Sequence, residues 1–230
     1  TAYEGTQKAC EKYGCELAYT ENVSTADIAA VFADYAGSGY DIVIGHGYEF
    51  GDPALEVAAT YPDTKFICTE ADAAADNVAS YVMACEQTAY VEGIIAASMT
   101  KSGKIGAIGP IPGDSLVKII NGYEDGAKTI NPDIDVQTAW TNSFVDTQLA
   151  QEAAKAMIEN GVDVIKHCAN ACGNGAMSAA VDANIWCQGD SYDQSSLAPN
   201  NILDSAIYNL DVVLDKAIES VVEGSFSGDV

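Results

Sequence analysis

Residues 39–46, GYDIVIGH, and residues 161–167, GVDVIKH, carry one short pattern written twice. Each leaves a glycine, passes an aspartate, runs through β-branched residues and ends on histidine. A glycine closing a helical stretch, followed by a compact apolar run, reads as a helix stop and then a buried strand. Working outward, the same order precedes both copies. Before the first come a helix, AYEGTQKACEKYG, a strand, CELAYT, a polar loop, ENVS, and a second helix, TADIAAVFADYAGSG. Before the second come the helix DSLVKIINGYEDGAKTI (114–130), the turn NPD, the strand DVQTAW, the loop TNSFVD and the helix TQLAQEAAKAMIENG. Asp114 or Ser115 is placed to cap the first of these helices, and Asp146 or Thr147 the other. Beyond the copies, TKFICTEAD…NVASYV with a helix (64–99) is answered by ANIWCQGDS…NNILDSAIY with a helix (183–223).

Strands alternating with helices imply parallel sheets covered on both faces. The expected fold class is therefore α/β, with two doubly wound parallel-sheet lobes, a hinge and a cleft between them. The halves differ in one respect. GKIGAIG (103–109) is a glycine-flanked strand leading the second half, and the first half has no counterpart. The expectation is a fragment: an N-terminal lobe, 1–101, lacking its first strand, and a C-terminal lobe, 102–230, with a truncated tail. No linker-like stretch separates them, which suits a hinge near residues 100–103.

The chain has 34 acidic residues against 10 basic ones, all lysine, for a formal net charge of -24. Without arginine there is no bidentate fork for phosphate or guanine, and so negative a surface repels polyanions. Nucleic acid is excluded as a partner on that ground. No stretch is long and apolar enough to span a membrane. Seven cysteines without a CxxC pair, beside two histidines, give no zinc spacing and read as small core residues.

In open parallel sheets ligands bind beyond the carboxyl ends of the strands. The candidate loops are 45–52 and 69–76 in the first half, and 109–115, 141–146, 167–175 and 189–194 in the second. They hold aromatics (Tyr48, Phe50), amides (Asn170, Asn174) and acids (Glu70, Asp190, Asp193), a mix suited to a flat, polar-edged neutral molecule. Neither GxGxxG nor GxxxxGK[ST] occurs, and Pro110 and Pro112 remove two backbone donors from the one glycine-rich candidate. GxSxG is absent, GDSYDQ lacks the glycine and glutamate of a calcium loop, and duplication accounts for His46 and His167. No catalytic residue, metal or cofactor is expected.

The strings GYDIVIGHGYEF…VAATYPDTKF, NVASYVMACEQTAYVEGIIAASMTKSGKIGAIG, NGYEDGAKTINPDIDV, GVDVIKH…GNG and YDQSSLAPNNIL resemble, in order, the BMP (basic membrane protein) family. The resemblance implies the type I periplasmic-binding-protein fold and a substrate-binding lipoprotein of an ABC importer. It also implies an N-terminal strand with its binding loop, and a lipobox cysteine upstream. For the nucleoside-binding members it implies a purine base between aromatics and a sugar held by carboxylates and a lysine. Phe50 matches the first-lobe aromatic, and Gly173, Asn174 and Gly175 match the loop after the second-lobe strand. Met177 stands at the second aromatic. Asp193 and Gln194 align with the family's acidic motif, whose ligand-holding acid falls at Ser191 or Asp190. Tyr208 stands at the lysine. The implied partners are a purine nucleoside or nucleobase and ABC permease subunits, for a monomer that is extracytoplasmic, lipid-anchored or periplasmic. A ligand-sensing regulator of the same fold is the alternative, ahead of an α/β enzyme acting on nucleosides.

Overall fold

A computed structural model describes residues 2–230. In chain order the elements are α1 (Ala2–Tyr13), α2 (Ile28–Gly37), β1 (Ile42–His46), α3 (Gly51–Ala58), β2 (Lys65–Thr69), β3 (Val78–Tyr81), α4 (Cys85–Met99) and β4 (Lys104–Gly109). They continue as α5 (Asp114–Ile130), β5 (Asp135–Trp140), α6 (Thr147–Glu159), β6 (Val164–His167), α7 (Gly173–Asp182), β7 (Trp186–Gly189), β8 (Ile202–Ser205) and α8 (Leu210–Val222). All named strands pair in parallel, in the sheets β1-β2-β3 and β5-β4-β6-β7-β8. The expected α/β class is thus present, with two parallel sheets.

The chain divides into two compact units. One joins the residues up to Met83 with Asn209–Val230; the other is Ala84–Tyr208. This corrects the boundary expected at Lys101. Residues 100–103 are not a crossing: the Asp163 carboxylate accepts from Thr100 Oγ1 and from the backbone N–H groups of Lys101 (2.7 Å) and Ser102 (2.9 Å), pinning that turn inside the second unit. The physical reason is helix packing. A Cβ on Gly93 of α4 would lie 2.0 Å from Tyr123 O, and one on Gly126 of α5 would lie 1.9 Å from Tyr90 O. Backbone meets backbone there, so α4 belongs with α5. In the same way α8 packs on α1, where Lys12 Nζ meets Asp215 at 2.8 Å and Tyr13 OH donates to Glu219 at 2.8 Å. Each half of the chain lends its last helix to the other unit.

The N-terminal core gathers Ile28 and Phe32 of α2, Val43 of β1, Phe66 and Cys68 of β2 and Val78 of β3. The C-terminal core joins Ile108, Ile165, Met157 and alanines of α6 and α7, whose small side chains let those helices lie close to the sheet. Two expectations about local structure change. CELAYT forms no strand: residues 15–20 are irregular and exposed, although their counterpart β5 pairs with β4. A strand exists only where a neighbour completes its ladder, and the described residues supply none here. Neither Asp114 nor Ser115 caps α5; Gly113 does, and Asp114 adds its charge to the first turn. Asp146 does cap α6, accepting from Gln148 N–H at 3.0 Å.

Candidate functional site

Because the strands of each sheet run in parallel, their carboxyl ends share one edge. Six non-glycine residues among those described have a left-handed backbone, and four of them, Glu70, Asn142, Asn170 and Ser191, lie within three residues of a strand's carboxyl end. A fifth, Asn22, lies two residues after the irregular segment 15–20. Such a conformation costs about 1–2 kcal/mol for most residues and less for asparagine, so at Glu70 and Ser191 it persists because surrounding contacts enforce it.

In the N-terminal unit, Glu70 follows β2 with φ +61° and accepts from Met83 N–H at 3.2 Å, joining the ends of β2 and β3. His46 Nδ1 lies 2.6 Å from Thr69 Oγ1 across the ends of β1 and β2. Tyr48 is exposed, in a single helical turn after β1. Phe50 is half-buried instead: its ring lies 5.7 Å from Phe32 and forms part of the core.

In the C-terminal unit the loop after β7 is built on Asp190, which is 5% exposed. Its carboxylate accepts from Tyr208 OH (2.8 Å) and Ser191 Oγ (2.9 Å), and its N–H donates to Gln194 Oε1 (2.8 Å). Tyr208 N–H donates to Ser191 O at 3.2 Å, closing the ring. Burial and the adjacent Asp190 push the Tyr208 phenol far above its ordinary range, so it remains a donor. Thus Asp190, Ser191 and Tyr208 are brought together, with the acid recessed beneath two hydroxyls. Asp193 stands apart on an exposed turn, where it accepts from Ser195 N–H at 2.9 Å. Asn170 and Asn174 are exposed at the start of α7, whereas Met177 sits in a small core cluster with Ala180 and Cys187. Gly173 lies against the buried imidazole of His167: a Cβ there would be 2.0 Å from Nδ1. Burial lowers the His167 pKa and favours a neutral ring, whose Nε2 is 3.2 Å from Gln194 Oε1. The neighbouring loop is tied down by Cys172, which donates its N–H to Phe144 O at 3.0 Å and its thiol to Asp146 O at 2.9 Å.

Beneath this edge lies a polar cluster that sequence reading did not single out. Lys166 of β6, 1% exposed, pairs with Glu92 of α4, and Gln188 of β7 donates to Glu92 O (2.9 Å) and to both Asp204 oxygens (3.1 Å). Glu92 Oε1, Gln188 Oε1 and the Tyr123 hydroxyl are buried without partners. Burial raises Glu92 to about 7, although Lys166 opposes it. Burial lowers Lys166, but Glu92, Asp190 and Cys168 outweigh it and hold the ammonium above its ordinary value. A lysine inside an otherwise apolar parallel strand was the available signal, since such a charge requires a buried acid.

The strand-end loops thus present an exposed aromatic ring at Tyr48 in the N-terminal unit, and hydroxyls and amides at Ser191, Tyr208, Asn170 and Asn174 in the C-terminal unit. Among the described residues no cluster of three His, Cys, Asp or Glu could hold a metal. A family model described as ABC transporter substrate-binding protein PnrA-like matches residues 1–229. The chain is 30% identical over 227 residues to a putative ABC transporter glucose-binding protein of Haloferax volcanii, covering 98% of this chain and 58% of that protein. It is 33% identical over 193 residues to a purine-binding protein of Brucella abortus, covering 84% of this chain and 55% of that one. The chain thus spans little more than half the length of either relative. A crystal structure of solute-binding proteins of an ABC transporter system from Aeropyrum pernix superposes with a TM-score of 0.89 at 28% identity, over 99% of this chain and 67% of that one. The chain belongs to the PnrA-like (Bmp) family of ABC transporter substrate-binding proteins, a family of binding proteins and not of enzymes.

Proposed function

We propose that this chain is the extracytoplasmic solute-binding component of an ABC importer, and that its solute is a purine nucleoside or nucleobase held by loops at the strands' carboxyl ends. The observation that carries the reading is the concentration of left-handed residues at the strands' carboxyl ends. Left-handed backbone enforced at the carboxyl ends of strands is the geometry of a preorganised site. The chemistry favours a neutral, flat solute. Tyr48 supplies an exposed aromatic face, Asn170 and Asn174 supply amides, and Ser191 and Tyr208 supply hydroxyls above a recessed Asp190. Phe50 braces the loop that carries Tyr48, and Glu70 braces the end of β2. Gly173 and Met177 shape the start of α7 from beneath, and Asp193 orders the turn after β7. The purine assignment also draws support from the Brucella relative. The proposed partners are the permease subunits of the importer, and the proposed state is a monomer.

The test is a thermal-shift and calorimetry series with inosine, guanosine, adenosine, adenine, guanine and D-glucose. A solute at a hundred times its Kd stabilises the fold by about 2.7 kcal/mol. Saturable binding of a purine at 1:1 is expected. Binding of glucose with no response to purines overturns the purine assignment and keeps the solute-binding reading; silence across the series overturns both.

A further inference from the structure

We infer that Cys10 and Cys15 form a redox-active dithiol at the carboxyl end of α1, which an uncharged disulfide-bearing oxidant closes to a disulfide. The backbone brings the two together. Cys15 N–H donates to Cys10 O at 3.0 Å, and Gly14 between them has φ +73°. A hydrogen bond reaching back five residues across a left-handed glycine is the Schellman stop, and it sets the side chains of the two residues it joins beside each other. Apolar side chains commonly meet there; in α1 the two are thiols. They are in hydrogen-bond contact, and burial, reinforced by the adjacent Cys15, pushes the Cys10 thiol above its ordinary range. Both residues line one cavity of the N-terminal unit. Spacing alone does not produce such a pair. Cys168 and Cys172 are one residue closer in sequence, yet their thiols turn to different carbonyls, Ile108 O at 3.8 Å and Asp146 O at 2.9 Å.

Exposure assigns the two roles. Cys15 is exposed, whereas Cys10 and the other five cysteines are buried. An oxidant therefore meets Cys15 first. Glu11 and Glu16 flank the pair in a chain of net charge -24, which disfavours an anionic oxidant and favours a neutral one. The Cys15 thiolate attacks one sulfur of the oxidant, forming a mixed disulfide and expelling one thiolate. Cys10 then attacks the Cys15 sulfur, forms the Cys10–Cys15 bond and expels the other half. The protein gives up two electrons and two protons, and the oxidant's disulfide leaves as two thiols. Burial disfavours the Cys10 thiolate, but its place beside the mixed disulfide turns a bimolecular encounter into a unimolecular one. The product ties the first residue of the irregular segment 15–20 to the last turn of α1.

Mass analysis of the reduced chain exposed to bis(2-hydroxyethyl) disulfide, read without solute and so independent of the proposed transport role, tests the assignment. Three proteins are compared: the chain itself, Cys10→Ala and Cys15→Ser. The chain is expected to lose two hydrogens. Because Lys12 lies between the cysteines, trypsin should release Cys10 and Cys15 on separate peptides that stay joined until reduced. Cys10→Ala should retain a hydroxyethyl mixed disulfide on Cys15, with a lifetime at least about 100-fold longer than in the parent chain. Cys15→Ser should remain reduced. A mixed disulfide that persists equally in the parent and in Cys10→Ala overturns the pairing, as does a parent chain that stays reduced or that joins either cysteine to a different one. Modification of Cys10 in Cys15→Ser, at the rate of Cys15 in the parent, overturns the assigned order. The peptide linkage in the unmutated chain decides the pairing even where a variant fails to fold.

Discussion

Replacing Lys166 with Met removes the one cation buried beside Glu92 and leaves a carboxylate, 3% exposed, inside the C-terminal unit. Breaking a buried pair from one side costs about 3–5 kcal/mol, whereas exchanging the whole pair for apolar side chains is often neutral or better. Lys166→Met alone should therefore lower stability by about 3–5 kcal/mol, and adding Glu92→Leu should return most of it. The coupling between the two changes would be at least about 2 kcal/mol. The assay is specific to this unit, because the chain's two tryptophans, Trp140 and Trp186, both belong to it. In urea, with a slope of about 1–3 kcal/mol/M, the single variant should shift the fluorescence midpoint by about 2 M. The pH dependence carries a sign. Glu92 is held at about 7, above its ordinary 4.5, so the native state prefers the protonated acid. Its contribution is fully present below the ordinary value and is lost as pH rises through about 7. Without Lys166 that loss deepens, so the deficit of Lys166→Met should be larger at pH 8 than at pH 5. A deficit below about 1 kcal/mol at pH 8, or a double variant no more stable than the single one, would refute the reasoning.

Gly126→Ala puts a methyl 1.9 Å from Tyr90 O, where only separation of α4 from α5 can relieve it. A stability loss at the upper end of about 1–3 kcal/mol is expected by urea titration, against less than about 0.5 kcal/mol for Gly113→Ala, where a Cβ meets nothing within 4 Å. Tyr208→Phe removes the donor to Asp190 and should cost about 1.5–3 kcal/mol by the same fluorescence assay, as for a hydrogen bond to a charged group. Phe50→Ala strips a ring from the N-terminal core and should lower that unit's stability by about 2 kcal/mol. Tyr48→Ala should leave stability unchanged and weaken purine by about 1–3 kcal/mol in calorimetry. Raising sodium chloride from 0.05 to 1 M should raise the thermal midpoint, since screening relieves self-repulsion in a chain of net charge -24; a falling midpoint would contradict that.

What the sequence determined by itself was whatever neighbours along the chain encode. The repeated GYDIVIGH and GVDVIKH, with helical and strand periods alternating around them, was enough for two parallel sheets and for the loops at their carboxyl edges. Tertiary structure decided which element meets which. Residues 15–20 have the composition of a strand but lie outside any ladder, because pairing depends on a partner distant in sequence. The last helix of each half looked like part of its own lobe until Gly93 and Gly126 met opposing backbone. Met177 and Asp190 were legible as residue types, but burial in the core and capture by the Tyr208 and Ser191 hydroxyls are contacts no local pattern contains. Local propensity is written within a turn or two of chain, whereas partner choice is settled by which surfaces bury each other best.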